Sequence, residues 1–158
     1  MLLALALLAE PVPVSIYGVE NLGGSYNAIL VDTIGERFVL IGISEDQALS
    51  LRLGLYGMNY IRPLTHDLFM AALDSVGWKV SRVVITKLDA GVFYSDLYLS
   101  KGKKTVKLDA RPSDALCLAA RAHCPVFVEE KVLDDYIEDF MRMLKDMREG
   151  KKDEGIGI

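Results

Sequence analysis

Arginine, proline, a hydroxyl residue and an aspartate occur together twice. Residues 62–67 read Arg-Pro-Leu-Thr-His-Asp and residues 111–114 read Arg-Pro-Ser-Asp. Proline after a polar residue suits a helix start, and a hydroxyl or carboxylate there can satisfy free N–H groups. Thr65 and Ser113 are therefore expected as N-caps, with Asp67 and Asp114 in the first turns, where negative charge complements the helix dipole. Capping does not account for Arg62 and Arg111, because a cation is unfavourable at that positive end. Each arginine needs a carboxylate partner or an anionic ligand. A guanidinium fork beside helix N–H groups makes a cradle for phosphate or carboxylate. The structural alternative is a buried bridge from Arg62 or Arg111 to Asp67, Asp109 or Asp114.

His66 falls in a first turn, where the dipole favours the neutral imidazole, which could act as a base or a metal ligand. Its plainer reading is an ordinary packed or surface histidine. Asp109, Asp67 and Asp114 with His66 form an oxygen-rich set of the kind that holds magnesium or manganese. No organic cofactor is indicated. A second candidate surface lies on a hairpin, where Lys103, Thr105, Lys107 and Asp109 share one face, as do Tyr94, Asp96 and Tyr98. Lysines beside tyrosines could hold a nucleic-acid strand; the plainer reading is the solvated side of a sheet, with lysines protecting an edge.

The elements that must position these residues follow from periodicity. Strands are expected at Val12–Val19, Ala28–Asp32, Arg37–Ile43, Trp78–Leu88, Val92–Leu99, Lys104–Asp109 and Pro125–Glu129. Helices are expected from Ser44, as cap, to about Gly57, then at His66–Val76, Ser113–Ala122 and Leu133–Arg148. In the last, Asp134 and Asp135 fall in the first turn, and Ile137, Phe140, Met141, Leu144 and Met147 form an apolar stripe. The three strands between 78 and 109 predict an antiparallel meander. The fold class is α+β, a mixed, mainly antiparallel sheet with about four helices packed on it. One domain is expected over 12–149, with an apolar segment at 1–11 and a flexible tail at 150–158.

Bulk properties bound the partners. The 158 residues suit a single core, and a formal charge of −4 gives no global attraction to nucleic acid, so any such ligand needs a local basic patch. Cys117 and Cys124 stand alone and read as reduced thiols in a cytoplasmic protein. The opening MLLALALLA is too short to span a bilayer and lacks a basic leader, so no stable membrane insertion is expected. It reads as a segment packed on the core or on a partner subunit.

Three blocks together, RPLTHDL at 62–68, GVFYSDLYL at 91–99 and LDARPSDALCLAAR at 108–121, resemble the bifunctional nuclease domain family, and PVFVEEKVL at 125–133 continues the resemblance. It implies an α+β fold that forms homo-oligomers, a dimer being favoured, and cleavage of phosphodiester bonds in DNA and RNA. Its motif positions fall on Arg62, Pro63, Thr65, His66 and Asp67, then on Asp109, Arg111, Pro112, Ser113 and Asp114. The expected division of roles is His66, Asp67, Asp109 and Asp114 for catalysis, with Arg62, Thr65, Arg111 and Ser113 holding phosphate. The competing reading is a non-catalytic homo-oligomeric ligand-binding or interaction module in which the Arg-Pro motifs are structural.

Overall fold

The local pairing of consecutive strands builds the sheet in two halves. The computed structural model describes residues 10–149, so the expectations for residues 1–9 and for the tail at 150–158 lie outside the described residues. Strands β1 (Val12–Leu22), β2 (Ser25–Asp32) and β3 (Phe38–Ile43) form one antiparallel meander. Strands β4 (Lys79–Asp89), β5 (Val92–Lys101) and β6 (Lys104–Ala110) form the other. The β4–β5 loop is two residues, Ala90 and Gly91, both at positive φ (48° and 78°), the backbone that a tight hairpin requires. The short strand β7 (Val126–Val128) lies between the halves, antiparallel to β1 and parallel to β4. The sheet order is β3-β2-β1-β7-β4-β5-β6, which is the mixed, mainly antiparallel sheet expected.

Four helices complete the α+β fold: α1 (Glu45–Leu55), α2 (Thr65–Ser75), α3 (Pro112–Ala122) and α4 (Glu130–Arg148). Leu30, Leu51, Ile85, Leu116 and Leu133 are fully buried between sheet and helices. Apart from Asp114, helix α3 is buried from Pro112 to Ala120 and packs on α1, α2, β3, β4 and β5, so it is the central helix. Its alanines allow close approach: an ideal Cβ on Gly54 of α1 would lie 3.1 Å from the Cβ of Ala120 and 3.1 Å from Nη1 of Arg121. Helix α2 buries no residue completely and rides on the core through Met70 and Leu73. None of the described helices is long and apolar enough to cross a membrane.

Several helix starts differ from expectation. Leu64, not Thr65, is the N-cap of α2, and the Asp67 carboxylate takes the free Leu64 N–H at 2.7 Å. Ser113 is not the cap of α3: Arg111 holds that position, Pro112 occupies the first turn, and Ser113 is buried inside the helix. Helix α4 begins at Glu130, so Glu130 and not Asp134 or Asp135 sits in its first turn. Arg37 explains that earlier start, since its guanidinium joins the buried Asp32 (2.9 Å) to Glu130 (2.7 Å). The apolar stripe of α4 divides. Phe140 packs edge-on against Phe38, while Met141, Leu144 and Met147 remain exposed.

Candidate functional site

The first turns of three helices aim side chains at one place. Helix α1 has a capping box: the Gln47 N–H donates to Ser44 Oγ (3.3 Å), and the Ser44 N–H donates to Gln47 Oε1 (3.1 Å). That leaves the Gln47 amide nitrogen free to donate to Asp114 Oδ1 at 3.0 Å. Asp114 projects from the first turn of α3, and Arg111 Nε donates to its other oxygen at 2.9 Å. His66, from the first turn of α2, completes the set with Nε2 at 3.3 Å from Asp114 Oδ1. The two Arg-Pro motifs therefore meet through His66 and Asp114.

The other ring nitrogen of His66, Nδ1, lies 2.8 Å from Ser50 Oγ on α1. The tautomer follows from charge. Burial alone would raise the Asp114 carboxyl, but donors from Arg111, Gln47 and His66 hold it below the ordinary carboxylate value, so it is ionised. An ionised carboxylate requires the proton on Nε2, which leaves Nδ1 as acceptor and Ser50 as donor. Burial lowers the His66 pKa below its usual value against the opposing pull of Asp114, so the ring is neutral at physiological pH. Ser50, His66 and Asp114 thus form a hydrogen-bonded chain across α1, α2 and α3.

A second pair supports this chain. The Arg121 guanidinium, only 9% exposed, donates to Asp67 Oδ1 at 2.6 Å and to the carbonyl oxygens of Ser50 (2.9 Å) and Cys117 (3.0 Å). It ties α2 and α1 to α3. Burial works to raise the Asp67 carboxyl, and the bonds from Arg121 and the Leu64 N–H overcome it, leaving the pKa lowered.

These groups border an open cleft of about 820 Å³. Of the expected residues, Thr65, His66, Asp109, Arg111 and Asp114 line it. Asp67 does not line it and uses its oxygens on Leu64 and Arg121. Arg62 lies exposed in the segment before α2 and makes no ion pair among the described residues. Ser113 lines an adjoining cavity of about 1130 Å³, bordered by α4, β3 and the β4–β5 turn, which shares Ser44, Gln47 and Arg111 with the cleft. That cavity is larger, but it holds neither His66 nor Asp114, so the smaller cleft is the better site. Among the described residues no group of three or more His, Cys, Asp or Glu side chains is placed to hold a metal ion. On the hairpin face, Lys107 pairs with Asp96 (3.2 Å), and from the neighbouring β4 Arg82 lies 4.1 Å over the Tyr98 ring. Cys117 and Cys124 are free thiols, both pushed up to about 11 by burial, and so unreactive at neutral pH.

Gln47 and Ser50 lie outside the motif blocks, and Arg121 closes one without having been given a role, yet the three hold the site together. One signal could have found Arg121: it is a lone cation at the end of an apolar helix and must have a partner.

A family model described as the bifunctional nuclease domain matches residues 28–139. An uncharacterised protein of Mycobacterium tuberculosis is 36% identical over 105 residues, covering 66% of this chain and 62% of that protein. A protein named bifunctional nuclease 1 from Oryza sativa is 29% identical over 93 residues, covering 57% of this chain and 28% of that one. Bifunctional nuclease 2 of Arabidopsis thaliana is 30% identical over 91 residues, covering 56% and 28%. The matched region therefore spans about three fifths of the mycobacterial relative and under a third of the plant relatives.

Proposed function

Since the chain belongs to the bifunctional nuclease domain family, we propose that its cleft hydrolyses phosphodiester bonds of DNA and RNA. The observation that carries this reading is the meeting of both Arg-Pro motifs at His66 and Asp114 on an open cleft. Arg111, with 75% of its side chain exposed, can turn from Asp114 to clamp a phosphate. The exposed Thr65 hydroxyl, at the start of α2, would donate to the same group, and Arg62 would meet a neighbouring phosphate of the strand.

His66 is the proton carrier. Its Nε2–H stays with Asp114, and its basic Nδ1 would take a proton through the Ser50 hydroxyl, which in turn accepts one from the attacking water, while Asp114 steadies the imidazolium that forms. The Ser50 hydroxyl both donates and accepts, so it serves Nδ1 in either protonation state of the ring. Asp67 acts at one remove, by fixing α2 against Arg121. Among the cleft carboxylates, Asp46 and Asp109 have their oxygens unengaged among the described residues, whereas Asp114 is engaged by Gln47, Arg111 and His66. Magnesium commonly binds one or two carboxylates together with substrate phosphates, and Asp109 suits that habit. A magnesium or manganese ion arriving with the substrate would offset phosphate charge there. A homodimer would use the exposed Met141, Leu144 and Met147 face of α4.

The test is cleavage of single-stranded DNA and RNA with magnesium, manganese or chelator, beside Asp114→Asn. The variant is expected to lose cleavage by roughly 100-fold or more, with its circular dichroism unchanged. Cleavage retained by that folded variant would sink the assignment. A second reading has one observation in its favour: the carboxylates of Asp67 and Asp114 are already saturated by partners, as in a purely structural network. Anion binding without cleavage under any of these conditions would select it.

A further inference from the structure

The acid–base groups account for only part of the cleft lining. Much of the rest is apolar. Phe69 follows His66 by three residues on α2, so the two share a face one turn apart. Leu64, Leu97, Leu108 and Leu118 continue the wall, and Leu49 stands at the rim. Phe69, Leu108 and Leu49 are 38%, 39% and 40% exposed, far too open for core residues. Leu108 is uncovered because β6 is the edge of the sheet and its residues are almost all exposed. A half-exposed aromatic ring, an apolar floor and an arginine thus face one opening.

We propose that this apolar lining is a subsite for one unpaired nucleobase of single-stranded DNA or RNA, stacked on Phe69 with its phosphate toward Arg111. The inference rests on the phosphodiester reading of the same cleft. A nucleobase is the apolar, flat group that a phosphodiester carries next to its phosphate. The cleft, about 820 Å³, lies within the range of sites that enclose a small ligand. A paired base in a duplex has its faces covered by its neighbours and cannot present one to Phe69 without flipping out. A chain of net charge −4 also provides no broad basic groove for two phosphate backbones. The subsite therefore makes the protein a single-strand reader with little sequence preference, since every base has a face to stack.

The test is equilibrium binding to the full chain at low salt in chelator, so that cleavage plays no part. Three short probes of equal length are compared: a single-stranded deoxyoligonucleotide, an abasic deoxyribose-phosphate strand, and a duplex. The single strand is expected to bind at least about tenfold more tightly than the other two, within the range that base–aromatic stacking supplies. Phe69→Ala should weaken binding of the base-bearing strand by roughly 5- to 150-fold and leave the abasic strand unchanged. Phe69→Trp should restore it, which separates loss of stacking from loss of fold. Arg111→Ala should weaken the base-bearing and abasic strands alike. Equal binding of the abasic and base-bearing strands would overturn the subsite and leave the phosphodiester reading standing. Unchanged binding in Phe69→Ala would do the same. No binding of any strand would overturn both.

Discussion

Replacing Arg121 by methionine isolates the contact that locks the site's three helices together. Methionine fills similar space, so the loss is of charge and hydrogen bonds rather than packing. Removing one partner of a fully buried ion pair costs about 3–5 kcal/mol. Arg121 meets that condition, but Asp67 is 31% exposed and keeps the Leu64 N–H, so water recovers part of the loss. The expected destabilisation is about 2–4 kcal/mol after that discount. For a domain of this size it lowers the melting temperature by roughly 5–15 °C. Urea unfolding of both proteins measures it directly. The pH dependence adds a second check. The Asp67 carboxyl is held below its ordinary value in the folded state, so its stabilisation is fully present above that value. It is lost as pH falls through the folded value, and the gap between wild type and Arg121→Met should narrow below about pH 4. A loss under about 1 kcal/mol at neutral pH would refute the claim that this pair holds the helices.

Two further outcomes follow from the same helices. Gly54→Ala gains helix propensity, but its Cβ would press on Ala120, whose position is set by α3. We expect a net destabilisation of about 1 kcal/mol in urea unfolding, and a stabilised variant would show that α1 and α3 can separate at no cost. The His66 ring is held neutral by burial, so the unfolded chain binds its proton more readily than the folded one. Stability should rise with pH through the window just below the ring's usual value and level off above about pH 7. His66→Asn should flatten that rise in urea midpoints measured from about pH 5 to 7, and an equal slope in both proteins would contradict the assignment.

The legible parts of the fold were those set by local pattern. Alternation and turn glycines placed the two meanders, because consecutive strands pair through short loops such as Ala90-Gly91. The position of β7 between β1 and β4 was not legible, since three residues of Val-Phe-Val carry no information about their neighbours. The start of α2 was misread by one residue because the Asp67 carboxylate, not the Thr65 hydroxyl, closes its first turn. Asp67 reaches back to Leu64, and the Thr65 hydroxyl is left facing the cleft. At the site, His66, Asp109, Arg111 and Asp114 were visible as candidates through their motifs. Ser50 and Gln47 were not, because their roles arise from how closely α1 packs on α3, and no spacing along one helix encodes that distance. Asp67 is the opposite case: its place in a motif suggested chemistry, while the structure pairs it with Arg121, 54 residues away.

The bridging strand has a consequence for how the chain assembles. Both meanders, β1 to β3 and β4 to β6, are complete by Ala110, whereas β7 begins only at Val126. During synthesis the facing edges of β1 and β4 therefore stand open until the last and shortest strand has emerged. Open edges invite pairing with other chains. In the finished molecule Val126–Val128 fills that gap on both sides, with three residue pairs to β1 and three to β4. A nascent chain stalled before Pro125 would carry the histidine and both aspartates of the site, yet hold two unjoined half-sheets.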